Sequence, residues 1–135
     1  MDMRIREEVE EIEKWIEGNS LAKALIKKSK LKKEELKALM VYFTVEDVTF
    51  EDLASEMDIN RSGAWKRYKK GFEKIIQSFY TVELAAYSGV LDPKVTEMLA
   101  EDLTDYVRLL QGEGDIEAIR ARLEKRMAVM EELEP

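Results

Sequence analysis

Residues 49–79 read TFEDLASEMDINRSGAWKRYKKGFEKIIQSF. Thr49 stands at a helix N-cap position, and Glu51 and Asp52 follow in the first turn, where the helix dipole favours carboxylates. A short helix is therefore expected over 50–57. Asp58–Ile59–Asn60 is expected to turn the chain. Asp tolerates the left-handed backbone better than most residues, and Asn60 suits the cap of the next helix. That helix is expected to run to about Phe79 or a little beyond. Ile59, Ala64, Tyr68, Phe72 and Ile75 are spaced as one core-facing stripe. Ala54 is small where the two helices would cross. Gly63 and Gly71 each cost about 1 kcal/mol against Ala inside a helix, so each implies a packing or contact reason.

Working outward, helical periodicity continues on both sides and no segment alternates like a strand. Met3, Ile5, Val9, Ile12 and Ile16 mark a helix over 3–17, with Trp15 beside the stripe. Gly18 and Asn19 end it, and Ser20 is expected to cap a short helix over 21–28, with Leu21, Leu25 and Ile26 apolar. Residues 32–45 predict a third helix with Leu36, Leu39, Met40 and Phe43 facing inward. Residues 80–90 carry few charges and are expected to be helical and buried. Asp92–Pro93 signals a strong helix start, with Val95, Met98, Leu99, Leu103, Tyr106 and Leu110 on one face. Gly112 and Gly114 break the chain. Asp115 then caps a last helix whose stripe is Ile116, Ile119, Leu123, Met127 and Met130. The organisation expected is N-terminal helices over 1–30, a central unit over 31–79 and a C-terminal helical region over 80–135.

Composition narrows the chemistry. The 135 residues include no cysteine and no histidine, which removes disulfides, thiolate metal sites and the commonest general base and zinc ligand. Carboxylates abound, but none shows metal or acid/base spacing, so no catalytic residue, metal or cofactor is assigned. No apolar run approaches the ~20 residues that span a bilayer. The charged N-terminus is unlike a signal peptide, and a cytoplasmic protein is expected. Abundant Glu, Lys and Arg with few Asn and Gln is a composition expected of a thermophile.

The net charge of -7 is unevenly placed. Residues 20–33 carry six lysines and no acid, and residues 60–79 carry six basic groups and one acid. Residues 1–19, 34–59 and 80–135 are net acidic. Fields fade within a Debye length of about 8 Å, so two basic islands in an acidic body suit binding to nucleic acid phosphates.

Residues 31–79 resemble the trihelical helix-turn-helix superfamily, most closely the region-four-like domains of sigma factors. LKKEELKALMVYF looks like the support helix, FEDLASEMDIN like the first helix and turn, and NRSGAWKRYKKGFEKI like a recognition helix. Arg61-Ser62-Gly63 also resembles the start of lambda-repressor-like recognition helices. Asp58 replaces the usual turn glycine, and Trp65 stands where small polar residues are common. The resemblance implies an all-α fold: a trihelical core, an N-terminal helix, a C-terminal helical extension and no β-wing. It also implies a recognition helix in the major groove of double-stranded DNA, with Arg61, Ser62, Trp65, Lys66 and Lys69 meeting bases. Phosphate contacts are expected from Gly63, Arg67, Lys70 and Lys74. The second island, with Lys23, Lys27, Lys28, Lys30, Lys32 and Lys33, is expected to grip the backbone alongside.

The function expected is that of a DNA-binding transcription regulator of an archaeal or bacterial cell, nucleoid-associated and acting as a homodimer. The stripes at 5–16 and 116–130 are candidate dimer surfaces, with intramolecular packing as the alternative. RNA polymerase or another transcription factor is a further expected partner. Rival readings are a protein-interaction adaptor of the transcription machinery and a viral or DNA-packaging helix-turn-helix factor. An enzyme would need a carboxylate cluster assembled from distant helices.

Overall fold

A computed structural model describes residues 3–133. Among them are seven helices and no strand, as an all-α chain requires. The chain divides into two compact units, one ending at Tyr80 and the other beginning at Thr81.

The first unit holds α1 (Met3–Gly18), α2 (Ser20–Lys28), α3 (Lys33–Thr44), α4 (Phe50–Glu56) and α5 (Arg61–Tyr87) as far as Tyr80. Its core gathers Ile5 and Val9 of α1, Ala38 and Val41 of α3, Val45, Leu53 and Ala54 of α4, and Ala64 of α5. Ile12, Val48, Phe50, Met57 and Ile59 pack against it. Ile16 is buried as well. The stripe at 5–16 is thus used inside its own unit, not held open for a second copy.

Local chemistry sets the helix ends. The cap of α2 is Asn19, not Ser20: its Oδ1 accepts the amide of Ala22 at 2.9 Å. Thr49 and Asp52 form a reciprocal capping box on α4, with each backbone amide donating to the other side chain at 3.0–3.1 Å. Asp58 adopts φ +54°, and the amide of Ile59 returns to the carbonyl of Ala54 at 3.0 Å. The Oδ1 of Asn60 then accepts the amide of Gly63 at 2.7 Å, which starts α5.

Three expectations about burial are corrected. On α3 the core face is Ala38 and Val41, continued by Val45 just beyond its end, on the opposite side from Leu36, Met40 and Phe43. Leu36 and Met40 are half-buried and Phe43 is exposed. The physical reason is that α3 has partners on two sides. Ala38 and Val41 share the core with α1, while Leu39 lies against Gly71 of α5 and Phe43 stacks near Phe72. On α5, Ala64 is buried and Tyr68 half-buried, but Phe72 and Ile75 are exposed. Gly71 holds the buried position instead, because a Cβ there would come within 2.9 Å of Leu39 Cδ1 and 3.2 Å of Glu35 Cβ. Finally, 80–90 are not buried. The helix α5 continues unbroken to Tyr87, which is 93% exposed, as are Tyr80, Leu84 and Val90 in lesser degree. Nothing before Gly89, at φ +84°, stops it.

The second unit is a helical hairpin, α6 (Pro93–Gln111) and α7 (Ile116–Glu132), preceded by the end of α5. Asp92 caps α6 through the amide of Val95 at 2.9 Å, with Pro93 in its first turn. Gly112 at φ +70° ends it, and Asp115 caps α7 through Ala118 at 3.1 Å. Ile119 and Leu123 are buried, Ile116 and Met127 half-buried, and Met130 exposed. Asp105, itself buried, accepts from Arg122 Nη2 at 2.7 Å, and Arg126 bonds Asp102 and Glu101. The hydrogen bond to Asp102 pushes the Arg126 guanidinium above its ordinary range against the opposing effect of burial, and Glu101 adds to the rise. The core of this stripe is therefore spent inside the hairpin, not on a dimer.

Among the described residues no helix is long and apolar enough to cross a membrane. Nor do any three or more Asp or Glu among them gather to hold a metal ion.

Candidate nucleic-acid interface

The two basic islands lie in the first unit. On α5, Arg61, Ser62, Trp65, Lys66 and Lys69 are all exposed. At 3.6 residues per turn they fall within an arc of roughly 140°, so the helix brings all five onto one continuous face. Ala64 and Gly71, on the other side, anchor that helix in the unit.

Within the face the charges differ in freedom. Arg61, Lys66 and Lys70 have no ion-pair partner among the described residues. Lys69 lies 3.8 Å from Glu73 and sits over the Trp65 ring, 4.9 Å from its centroid. That cation–π contact orients the exposed indole and the ammonium together. Arg67 stands 3.8 Å from Glu34; at that separation on an exposed pair the attraction is weak and easily exchanged.

Two residues expected at phosphates already have partners within the unit. Lys74 donates to the buried carboxylate of Glu35 at 2.6 Å. Burial pushes the Glu35 carboxyl up, but the hydrogen bond from Lys74, the backbone amide of Lys32 and the Lys74 charge together hold it below its ordinary value. The amide of Gly63 is already taken by Asn60, and a Cβ there would meet Asn60 Oδ1 at 3.2 Å and Ile59 Cδ1 at 3.6 Å.

The second island is similarly mixed. Lys33 pairs with Glu17, and Lys32 supplies the amide bonded by Glu35 at 2.9 Å. Lys23, Lys27, Lys28 and Lys30 are exposed. Lys23, Lys27 and Lys33 border a shallow cleft with Ile16 and Ile26. Sequence reading missed Glu35 and Glu34, because a carboxylate that meets a lysine 39 positions away leaves no local signal. It also missed the half-exposed cluster of Tyr42, Phe43, Phe50, Tyr68 and Phe72, whose rings lie 4.5–6.1 Å apart.

No known protein family, curated protein or solved structure matches this chain.

Proposed function

We propose that residues 31–79 act as a trihelical helix-turn-helix of the sigma-factor region-four-like kind, and that the protein is a DNA-binding transcription regulator. In this reading α3 is the support helix, α4 the first helix of the motif and α5 the recognition helix. The observation that carries it is the exposed face of Arg61, Ser62, Trp65, Lys66 and Lys69 on the first turns of a helix entered through a tight, capped turn. An arginine can pair bidentately with guanine, and an indole can meet a thymine methyl or sugar. Lys70, unpaired at the edge of the face, suits a phosphate, and Lys27, Lys28 and Lys30 suit a second backbone contact. The acidic surroundings leave these islands as the places where a polyanion is attracted. The regulator would act on the nucleoid as a homodimer, with the transcription machinery as its wider partner.

Selection from a random duplex library with the purified protein tests the reading. A recovered consensus is expected. Arg61→Ala should flatten it at one position, a change of about 1–3 kcal/mol in discrimination. Lys70→Ala should weaken all sequences alike. A library that returns unenriched, with no duplex retained at low salt, would overturn the proposal.

A further inference from the structure

Beyond Lys70 the outer side of α5 changes character. Phe72, Ile75, Ile76 and Phe79 recur at spacings of three and four, so they form one stripe along two turns. Phe43 of α3 widens it, its ring 6.1 Å from that of Phe72. These five side chains are 39–62% exposed, and Glu73 and Lys74 fall to the side of the stripe. A large apolar residue presents on the order of 200 Å² when fully exposed, so the stripe amounts to roughly 500 Å². An apolar patch of that size on a monomer is commonly a functional surface.

We propose that this stripe is where a second copy of the chain pairs, α5 against α5, antiparallel about a two-fold axis passing between Ile75 and Ile76. The functional meaning of the pairing rests on the DNA-binding reading above. A two-fold axis makes the patch meet itself, so the five side chains from each copy cover roughly 1,000 Å² in total, the size at which specific interfaces begin. The five side chains themselves carry no charge. The spacing also matches one turn of a duplex. Trp65, at the centre of the groove-facing residues, lies about 16 Å along the helix from the axis, at 1.5 Å per residue. The antiparallel partner then puts the two Trp65 residues about 32 Å apart, against the ~34 Å between successive major grooves on one side of DNA. The groove-facing residues are centred roughly 60–70° around the helix from the stripe. When the stripes face each other, both groove-facing surfaces therefore turn to the same side.

Sedimentation of the full chain and of Phe79→Glu tests the pairing, with circular dichroism to confirm that the variant keeps its helices. The expected result is a dimer for the wild type and a folded monomer for the variant. Because the chain has no cysteine, Ile76→Cys should be joined to its twin by a short bismaleimide, whereas Glu11→Cys should not. On DNA, Phe79→Glu should lose about 100-fold or more in affinity for two half-sites one helical turn apart, the scale set by tethering two modules, and keep its affinity for one half-site. A wild type that stays monomeric at tens of micromolar, including one whose stripe is shielded from hydrogen exchange by the chain's own C-terminal unit, overturns the pairing. So does a Phe79→Glu that remains dimeric. A monomer that binds single half-sites would leave the DNA-binding reading intact. A dimer that Phe79→Glu breaks but that binds no duplex would leave the pairing intact and sink that reading instead.

Discussion

Lys74→Met separates a structural role for this lysine from the DNA contact proposed for others on the same helix. The Glu35 carboxylate is buried and receives Lys74 Nζ at 2.6 Å and the Lys32 amide at 2.9 Å. Removing one partner of a buried pair costs about 3–5 kcal/mol, chiefly because the other charge is left uncompensated. Lys74 keeps 20% of its side chain exposed, so water reaches the vacated position and the cost should be lower, roughly 2–3 kcal/mol. For a unit of this size each kcal/mol shifts the midpoint by about 4–8 °C, which gives a fall of about 10–20 °C. Trp15 and Trp65 both lie in the first unit, so their fluorescence during urea unfolding reads the effect. Glu35→Gln combined with Lys74→Met should recover part of the loss, since the amide oxygen still accepts from Lys32. The pH dependence follows from the depressed Glu35 pKa. Its stabilisation is present above the unfolded value, near 4.5, and is lost as pH falls through the lower folded value. The gap between wild type and Lys74→Met should therefore close in acid. A Lys74→Met protein within about 0.5 kcal/mol of wild type that nonetheless binds duplex DNA more weakly would refute this reasoning and return Lys74 to the phosphates.

Other substitutions probe separate parts of the account. Asp58→Gly relieves a left-handed residue at φ +54° and should stabilise the first unit by up to about 1 kcal/mol, read as a higher urea midpoint at unchanged slope. Asn60→Ala removes the side chain that caps α5 and should cost about 1 kcal/mol by the same assay. Gly71→Val forces atoms toward Leu39 Cδ1 and Glu35 Cβ and should cost about 1–3 kcal/mol; a neutral result would mean that α3 and α5 are less closely apposed. Arg126→Met strips Asp102 of its guanidinium partner in the hairpin. It should lower the thermal transition followed by circular dichroism.

What could be read from the sequence was mostly local. The caps at Thr49, Asn60, Asp92 and Asp115 and the turn at Asp58 depend on residues within a few positions of one another, and each appears where expected. Ser20 failed as a cap by one position, because Asn19 offers its carbonyl first. The faces of α3 were less legible. A helix with two partners has apolar residues on both sides, and the larger Leu36, Met40 and Phe43 drew the reading away from Ala38 and Val41. The low charge of 80–90 suggested burial, yet these side chains remain exposed on a helix that no local signal ends before Gly89. The five side chains assigned to the groove share one exposed face, as their spacing requires. The pairing of Lys74 with Glu35 was not legible, because its partner lies 39 positions away.

The most direct test of the DNA-binding account is fluorescence anisotropy of a labelled duplex titrated with the full chain across a range of salt concentrations. Each phosphate neutralised contributes about −0.9 to the log–log slope, so Arg61, Lys66, Lys70 and the lysines of the second island predict a slope between roughly −3 and −6. Lys70→Ala should make it shallower by about one. Binding that is absent at low salt, or that does not weaken as salt rises, would contradict the account.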